Sequence, residues 1–495
     1  MSLSEQNRLV ESLCKLLEQQ HASKVEHIET HISHLLLVAN RAYKIKKPVN
    51  FGFLDFSTLE KRRHFCFEEQ RLNSRLAADL YQGVISISGD PEKPLIDDNS
   101  SPIEYMIEMQ RFEPGHELTH LLEADQLPKD HIKELADLIA RFHQDIDPID
   151  NNSTFGTTAS IKNASLQNFQ QIKQHQQLLP DALFASLATL EQWTMHFFQK
   201  HQQLFDQRRQ QGFVRECHGD LHLGNITLNH GKLLIFDGIE FNDDFRWIDV
   251  ISDLAFLLMD CHYHAHHEDA WLLLNSYLDQ TLDYAGLTLL PFYLCYRAMV
   301  RAKVNVLRLS QLNPLDKEAE LVKKDSIKLI KLAASLSATQ AQSLTITHGL
   351  SGSGKSFQAS RLMQQSGAIR LRSDRLRQIY PQLPASRYSE NSRNQIYDLM
   401  LKIAEPLLIA GFNVILDATF LAADNRQKAR QLAHQRGVNF QILHTEVDTE
   451  ELKQRLERRA SDDKEPSEAD MRVVRQQQQT QEPLTAEEKQ FLVSP

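Results

Sequence analysis

The chain has 495 residues, of which 41% are hydrophobic and 24% charged, with 17 glycines and 16 prolines. This is the composition of an ordinary folded protein, so it argues against collagen-like, wholly disordered and membrane classes, and the length predicts roughly two to four domains. The formal net charge of -10 gives no global attraction to phosphate backbones, so a nucleic-acid partner would need a local basic groove. Five widely spaced cysteines without a CxxC pair and a polar N-terminal sequence predict a cytoplasmic protein with no membrane partner.

The first third of the chain reads as a sheet followed by helices, which is an α+β order. Leu9, Leu13 and Leu17 follow a helical spacing, and from Leu118 onward the pattern is mostly helical. In between, the sequence predicts strands over 32–39 and 42–45 joined by a turn at Asn40-Arg41, a helix over 59–80, and strands over 83–87 and 103–112.

Two lysines share one face of the second predicted strand, because side chains alternate along a strand. Either Lys44 or Lys46 could contact the α- and β-phosphates of ATP, and we predict Lys44. Glu69 on the following helix is its predicted ion-pair partner, with Glu68 as the rival. The predicted hairpin contains no glycine-rich loop, which departs from the protein-kinase signature.

A catalytic-loop motif occurs at Cys217-His-Gly-Asp-Leu-His-Leu-Gly-Asn225, with the spacing of H-R-D-x-x-x-x-N and glycine in place of arginine. A hairpin turning at His230-Gly231 then leads to Asp237. Phosphoryl transfer needs one carboxylate near the attacking hydroxyl and two oxygen ligands for Mg²⁺. We predict Asp220 for the first role, and Asn225 and Asp237 for the second.

With Asp249 and Asp253-Leu-Ala255 downstream, this segment resembles the aminoglycoside phosphotransferase family, a relative of the protein kinases, over about residues 27–310. The resemblance implies a bilobal, protein-kinase-like α+β fold. It also implies that Asp220 is the base and that Asn225 and Asp237 are the metal ligands.

The chain changes character near residue 340. A helical pattern from Glu318 to Leu336 is followed by a small polar stretch, and then by a predicted buried strand over 344–348, a glycine-rich turn and a helix. This predicts a kinase-like domain over 1–336, a linker over 337–343, and an α/β doubly wound P-loop domain over 344–495.

The glycine-rich turn fits the phosphate-loop pattern G-x-x-x-x-G-K-[ST] in full and lies between a predicted strand and a predicted helix. Its backbone N–H groups would surround phosphate oxygens, Lys355 would reach the β and γ oxygens, and Ser356 would coordinate Mg²⁺. The predicted nucleotide-binding residues are Gly349, Ser351, Gly352, Ser353, Gly354, Lys355 and Ser356.

The acceptor side of this second site is predicted from residues C-terminal to the phosphate loop. Asp374 follows a predicted strand over 368–372, and at this strand end it could accept the proton of an attacking hydroxyl. The alternative is that Ser373 or Asp374 only caps the N-terminus of a helix. Arg377, one turn further on, could hold substrate or phosphate charge. Asp417 ends a predicted buried strand, and we predict that its carboxylate helps to bind Mg²⁺. A predicted helix further on carries the basic residues Arg455 and Arg459. These arginines could close over the phosphates as a lid, or they could form a basic face that only contacts solvent.

Residues 344–480 resemble the small P-loop kinases grouped with polynucleotide kinase, chloramphenicol phosphotransferase and zeta toxins. The resemblance rests on the phosphate loop and the acceptor-side residues above, together with Thr419, Arg426 and the arginines from Arg455 to Arg459. In that group the residue at Asp374 activates the acceptor hydroxyl. The tandem order resembles bacterial bifunctional aminoglycoside phosphotransferase/ATP-binding proteins.

The sequence thus predicts an ATP- and Mg²⁺-dependent phosphotransferase with two kinase-like domains. Each domain would transfer the γ-phosphate to a hydroxyl of an unidentified acceptor, with a small molecule favoured over a nucleic acid. Two alternatives stay open: a nucleotide-gated regulatory protein with one non-catalytic domain, and a nucleic-acid 5′-end kinase.

Overall fold

The computed structural model describes residues 1–338, 341–379, 390–448, 450–452, 454 and 471–494. Residue contacts divide the chain into two compact units: Met1–His264 with Tyr296–Lys331, and Ala265–Cys295 with Leu332–Pro495. The domain limits expected from the sequence stay a prediction. Across the described ranges, none of the helices combines the length and apolar character needed to cross a membrane.

The first unit begins with a six-stranded antiparallel sheet in the order β1-β2-β3-β6-β4-β5. The turn between β2 and β3 was predicted one residue too late. Val38 pairs with Arg41, so the turn is Ala39-Asn40, and Ala39 takes a positive φ of 48° that sequence rules assign to asparagine or glycine. The strands are β1 (Glu26–Glu29), β2 (Ser33–Val38), β3 (Arg41–Lys46), β4 (Tyr81–Asp90), β5 (Lys93–Ile96) and β6 (Pro102–Gln110).

Two helices pack on this sheet. Helix α1 (Leu3–His21) begins with a capping box of Ser2 and Glu5, and buries leucines at helical spacing against strand residues. Helix α2 (Leu59–Ala77) is capped by Thr58 and packs on β4 and β6. Hydrophobic burial on the sheet therefore fixes where α2 presents its polar residues to the neighbouring strands.

The rest of the first unit is mainly helical. Its helices are α3 (Leu118–Glu123), α4 (Lys129–Asp145), α5 (Thr158–Gln174), α6 (Phe184–Gln210), α7 (Asp243–Arg246) and α8 (Val250–Tyr263). Two further helices, α10 (Leu290–Leu309) and α11 (Lys317–Ser337), contribute to this unit from Tyr296 onward and up to Lys331, respectively. Two small antiparallel pairs are β7 (Val214–Glu216) with β10 (Trp247–Asp249), and β8 (Ile226–Asn229) with β9 (Lys232–Ile235). The β8–β9 turn falls at His230-Gly231, as predicted.

The second unit contains a five-stranded parallel sheet in the order β12-β13-β11-β14-β15. Its strands are β11 (Ser343–His348), β12 (Ala368–Arg372), β13 (Asn413–Asp417), β14 (Asn439–His444) and β15 (Leu492–Val493). The helices that follow β11 include α12 (Lys355–Ser366), α13 (Ser373–Ile379), α14 (Glu390–Ile409), α15 (Ala423–Arg436), α16 (Met471–Thr480) and α17 (Ala486–Lys489). The strand order reverses at β11, and in such sheets ligands bind beyond the carboxyl ends of the strands at that point. The two expected fold classes are confirmed.

Helix α9 (His267–Thr281) covers the edge strand β12. The Asn275 amide donates to the Ala368 carbonyl at 3.0 Å and accepts from the Arg370 N–H at 2.7 Å, so it satisfies backbone groups that an edge strand otherwise leaves unpaired. The Trp271 ring lies so close to Gly367 that a Cβ there would be 2.8 Å from it. These contacts explain why residues 265–295 pack with the second unit, although they precede the predicted linker.

Candidate active sites

The catalytic loop of the first unit is fixed by buried polar groups. Asp253 on α8 accepts the backbone N–H groups of His218 at 3.1 Å and Gly219 at 2.9 Å, and Arg297 donates to the Gly219 carbonyl at 3.1 Å. Gly219 has a φ of 83°, and a Cβ there would lie 2.7 Å from the Phe245 carbonyl. Only glycine fits this position, which accounts for the glycine that replaces arginine in the kinase motif.

Asp220 projects from this loop beside two polar side chains. The Asn225 amide Nδ2 donates to Asp220 Oδ2 at 3.2 Å and to the Asp220 carbonyl at 3.0 Å, and His222 Nε2 lies 3.5 Å from Oδ2. Burial opposes the negative charge, but the hydrogen bond and charge of His222 outweigh it, so the pKa of Asp220 falls to about 2. Asp220 is therefore a carboxylate at neutral pH, able to accept a hydrogen bond from a hydroxyl.

The second acidic residue, Asp237, directly follows the β8–β9 hairpin. The Phe236 N–H donates to the Asn225 carbonyl at 2.9 Å, which brings Asp237 next to Asn225. Asp237 has a φ of 61°, and the following Gly238 N–H donates to Asn73 on α2 at 2.7 Å. Because Asn225 Nδ2 faces Asp220, its Oδ1 is left to act as an oxygen ligand. An amide oxygen and a carboxylate are the donors that Mg²⁺ prefers.

Lys44 joins the sheet, α2 and Asp237. Its Nζ lies 2.8 Å from Glu69 Oε1 and 2.6 Å from Asp237 Oδ1. Burial lowers the pKa of Lys44, but the two carboxylates raise it more, so the ammonium is charged. The structure pairs Lys44 with Glu69, the predicted partner, and also brings Asp237, the predicted metal ligand, to the same ammonium. The rival Glu68 pairs with Arg71.

Lys46 occupies a different environment from Lys44. Its side chain is 1% exposed, its Nζ lies 2.5 Å from Glu69 Oε2, and it forms a second ion pair with Glu240. Burial raises the pKa of Glu69, but the two ammonium groups reverse this and lower it to about 2. Lys46 is thus enclosed by carboxylates, whereas Lys44 reaches Asp237.

His143, Cys217 and Asp253 are the one group of three buried potential metal ligands among the residues that the structure describes. The Asp253 oxygens already accept the loop N–H groups, and His143 Nε2 lies 3.2 Å from Oδ2. Burial raises the pKa of the Cys217 thiol, which disfavours the thiolate that a metal needs. This group therefore supports the catalytic loop.

In the second unit the phosphate loop connects β11 to α12. Gly349, Gly352 and Gly354 have φ values of 146°, 88° and 91°, and a Cβ at Gly349 would lie 2.4 Å from the Thr445 carbonyl. The buried Lys355 donates from Nζ to the Leu350 carbonyl at 2.6 Å. Glycines with these conformations turn successive N–H groups inward, which is the arrangement that binds phosphate oxygens.

The two predicted Mg²⁺ ligands of this unit face each other. Ser356 Oγ, in the first turn of α12, lies 3.4 Å from Asp417 Oδ1 at the end of β13. Two oxygen donors at this spacing, beside a phosphate loop, fit a site that Mg²⁺ shares with nucleotide phosphates. Ser353 Oγ is 2.7 Å from Thr445 Oγ1, and Ser351 contacts Gln477.

The residues predicted for the acceptor side follow β12 at the edge of the sheet where β13 also ends. Arg372 ends β12 opposite Asp417, and Asp374 follows two residues later in the first turn of α13, with Arg377 one turn further on. Asp374 therefore stands both at a strand end and at a helix start, as the two sequence interpretations required. Arg455 and Arg459, predicted to form a lid, lie outside the described residues.

Comparison with known proteins agrees with this two-part architecture. A model of a phosphotransferase enzyme family matches residues 94–286, and a model of an AAA domain matches residues 344–484. The uncharacterized protein Rv2004c of Mycobacterium tuberculosis (strain ATCC 25618 / H37Rv) is 30% identical over 417 residues, which are 82% of this chain and 80% of the relative. The chain belongs to the Rv2004c family. Uncharacterized protein Mb2027c of Mycobacterium bovis (strain ATCC BAA-935 / AF2122/97) gives the same values.

Solved structures that resemble this Rv2004c-family protein include a choline kinase from Cryptosporidium parvum Iowa II, which is 11% identical with a TM-score of 0.42 and covers 67% of this chain and 96% of its own. Amicoumacin kinase hAmiN is 14% identical with a TM-score of 0.40, and it covers 67% and 96% of the two chains.

Sequence reasoning missed several site residues of this Rv2004c-family chain. Arg370 on β12 pairs with the Asp417 carboxylate at 3.0 Å, and Glu240 pairs with Lys46. No motif singles out either residue. The one signal in the sequence is that Arg370 is a charged residue inside a largely apolar predicted strand, which indicates a buried partner of opposite charge. Arg426, part of the P-loop kinase resemblance, is buried and pairs with Glu488 at 2.6 Å, so its guanidinium holds the C-terminal segment.

Proposed function

We propose that this protein is an ATP-dependent phosphotransferase with two active sites, one in each domain. Each site would transfer the γ-phosphate of ATP to a hydroxyl of an acceptor, and a small molecule is the favoured acceptor class. The proposal rests chiefly on one observation: each unit combines oxygen donors suited to Mg²⁺ with the expected acceptor-side carboxylate. Asn225 contacts Asp220 in the first unit, and in the second Ser356 faces Asp417, whose partner across the sheet, Arg372, precedes Asp374 by two residues.

In the first site, Lys44 would bind the α- and β-phosphates while Glu69 holds its ammonium in place. Asn225 and Asp237 would hold Mg²⁺, which supplies neutralisation of phosphate charge. Asp220, ionised and oriented by Asn225 and His222, would accept the hydrogen bond of the acceptor hydroxyl and align its oxygen with the γ-phosphorus. Since its pKa is about 2, positioning of the hydroxyl is its main contribution, and it takes the proton only as the new P–O bond forms.

In the second site, the backbone N–H groups of residues 352–356 and the Lys355 ammonium would bind the phosphates. Ser356 and Asp417 would hold Mg²⁺ with the same electrostatic effect. Asp374 would orient the acceptor hydroxyl, and Arg377 on the same helix would bind negative charge on the acceptor or the transferred group.

Phosphate transfer from γ-labelled ATP into a nucleotide-free cell extract, resolved by mass, tests the proposal. The variants are Asp220→Asn, Lys355→Ala and their combination. The matched controls are Asp316→Asn and Lys402→Ala, which change the same residue types at exposed helix or turn positions. We expect one labelled product to disappear with Asp220→Asn and another with Lys355→Ala, while both controls keep both products.

If no variant removes any labelled product, the products come from contaminating enzymes, and this outcome would contradict the proposal. ATP binding without any variant-sensitive product would support the nucleotide-gated regulatory alternative in its place. A labelled product that is an oligonucleotide 5′ end and depends on Lys355 would favour the nucleic-acid kinase.

A further inference from the structure

Gln477 contacts the phosphate loop through both atoms of its side-chain amide. Its Oε1 accepts the backbone N–H of Ser351 at 2.9 Å, and its Nε2 donates to Ser351 Oγ at 3.0 Å. The residue lies on α16, in a run of four glutamines at 476–479. Gln477 is buried, whereas the other three glutamines of the run are exposed. A single glutamine of this run therefore reaches the loop.

The two hydrogen bonds fix the direction of the amide. A backbone N–H can only donate, so the oxygen of Gln477 must face it, and the NH₂ group must then face Ser351 Oγ. The Ser351 hydroxyl accepts a hydrogen bond from Gln477, and its own proton must point to a different acceptor. Ser351 lies within the loop Gly349–Ser356, where the acceptors expected in a nucleotide complex are phosphate oxygens.

An apolar contact made by the same helix holds Gln477 at the height of Ser351 in the loop. Val474, one turn earlier on α16, is fully buried with Leu452, and Leu350 of the phosphate loop and Val447 pack against this pair. Residues i and i+3 lie on one face of a helix, so Val474 and Gln477 meet two consecutive residues of the loop. Helix α16 is thereby attached to the first half of the phosphate loop by one apolar and two polar contacts.

We propose that Gln477 is a positioning residue of the phosphate loop, which orients the Ser351 hydroxyl as a hydrogen-bond donor to a phosphate oxygen of the bound nucleotide. This inference rests on the proposed function of the loop as a nucleotide site. It adds a residue outside the loop motif that sets how the loop presents one of its donors.

The test measures binding of Mg·ATP and Mg·ADP to the full chain by calorimetry, in a Lys44→Met background that removes the first proposed nucleotide site. Gln477→Ala removes both hydrogen bonds, and we expect ATP affinity to fall about tenfold. Gln477→Glu places a carboxylate that accepts from both Ser351 donors, so the hydroxyl turns away from the nucleotide. It should lower the ratio of ATP to ADP affinity by more than an equal charge elsewhere on α16, because the Ser351 donor is lost and the carboxylate lies directly against the loop that holds the more highly charged ATP.

Gln478→Glu is the matched control, since it adds the same charge one residue away on the exposed side of α16. It should leave both affinities within about twofold of the parent protein. Thermal unfolding of each variant shows whether it is folded. Ser351→Ala tests the same contact without altering α16: it should reproduce the loss of ATP affinity, and adding Gln477→Ala should then cost nothing more.

Parent-like ATP affinity and ATP-to-ADP ratio in both Gln477 variants would overturn the inference, provided that Lys355→Ala abolishes the binding. Equal effects of Gln477→Glu and Gln478→Glu would overturn it as well, because added charge alone would then explain the change. Binding that Lys355→Ala does not weaken would instead overturn the proposed function of the loop, and this inference with it.

Discussion

The guanidinium of Arg370 holds the Asp417 carboxylate across two neighbouring parallel strands, with Nε and Nη2 each 3.0 Å from Oδ2. The other oxygen, Oδ1, faces Ser356 Oγ at 3.4 Å. The two oxygens of one carboxylate therefore have separate partners, and the ion pair leaves Oδ1 directed at the proposed metal position.

We predict that Arg370→Met destabilises the second unit by about 3 kcal/mol, because it leaves the Asp417 charge buried without its partner. The Asp417 side chain is only 5% exposed. Urea unfolding followed by Trp271 fluorescence measures this, once Trp193 and Trp247 are replaced by phenylalanine. Arg370→Lys keeps the charge and should lose less. A loss below about 0.5 kcal/mol in Arg370→Met would show that the pair does not hold the site together.

Substitution by methionine should affect ATP binding at Lys44 and stability at Lys46. Lys44→Met should remove ATP binding by the first site, since Lys44 is the lysine that reaches Asp237. Lys46→Met should destabilise the first unit by about 3–5 kcal/mol, because Glu69 and Glu240 lose the ammonium buried between them. Calorimetry and urea unfolding of both variants measure the two effects.

Adding Glu240→Gln to Lys46→Met should recover part of the stability, because one buried charge is then removed. If Lys46→Met retains parent-like stability but loses ATP binding, the assignment of the two lysines is reversed.

The Asp220–His222 pair predicts a pH dependence of stability. Burial lowers the pKa of His222, but the hydrogen bond and charge of Asp220 outweigh it, so the pKa lies above its ordinary value of 6.5. The contribution of the pair is fully present below pH 6.5 and is lost as the pH rises through the raised pKa. Because the side chains are 24% and 36% exposed, we expect a loss of about 1 kcal/mol or less.

Asp220→Asn removes this linkage, so its urea midpoint should change less between about pH 6 and pH 9 than that of the unmodified protein. Identical midpoint shifts in the two proteins would show that His222 gains no charge stabilisation from Asp220.

Gly219→Ala should disable the first site and destabilise its unit. The positive φ alone costs about 1–3 kcal/mol, and the added Cβ would lie 2.7 Å from the Phe245 carbonyl. Phosphate transfer at the first site and urea unfolding measure the two effects. Gly231→Ala, in an open hairpin turn with nothing within 4 Å of the added Cβ, separates backbone strain from the clash. Comparable losses in both variants would mean that the clash contributes little.

Both fold classes and the positions of the main motifs could be predicted from the sequence. Periodicity and turn residues sufficed for β12, predicted over 368–372 and observed as Ala368–Arg372, and for the turn at His230-Gly231. Short motifs with fixed spacing located the loop of Asp220 and the loop of Lys355, because each motif places its characteristic residues within one short segment of the chain.

The missed residues act through space and not along the chain. Arg370 meets Asp417 from the neighbouring strand, and Gln477 meets Ser351 from a helix 126 residues later. Nothing local distinguishes Gln477 from its three neighbours in sequence; only the phase of α16 does. The turn at Ala39 was misplaced because tertiary pairing of the strands imposed a positive φ on a residue that does not favour it.

The number of nucleotides bound per chain tests the central claim, two independent ATP sites, most directly. Calorimetric titration of the full chain with a non-hydrolysable Mg·ATP analogue should give two nucleotides per chain. Lys44→Met and Lys355→Ala should each leave one, and the double variant should bind none. One nucleotide per chain in the unmodified protein, abolished by a single one of these substitutions, would contradict the account.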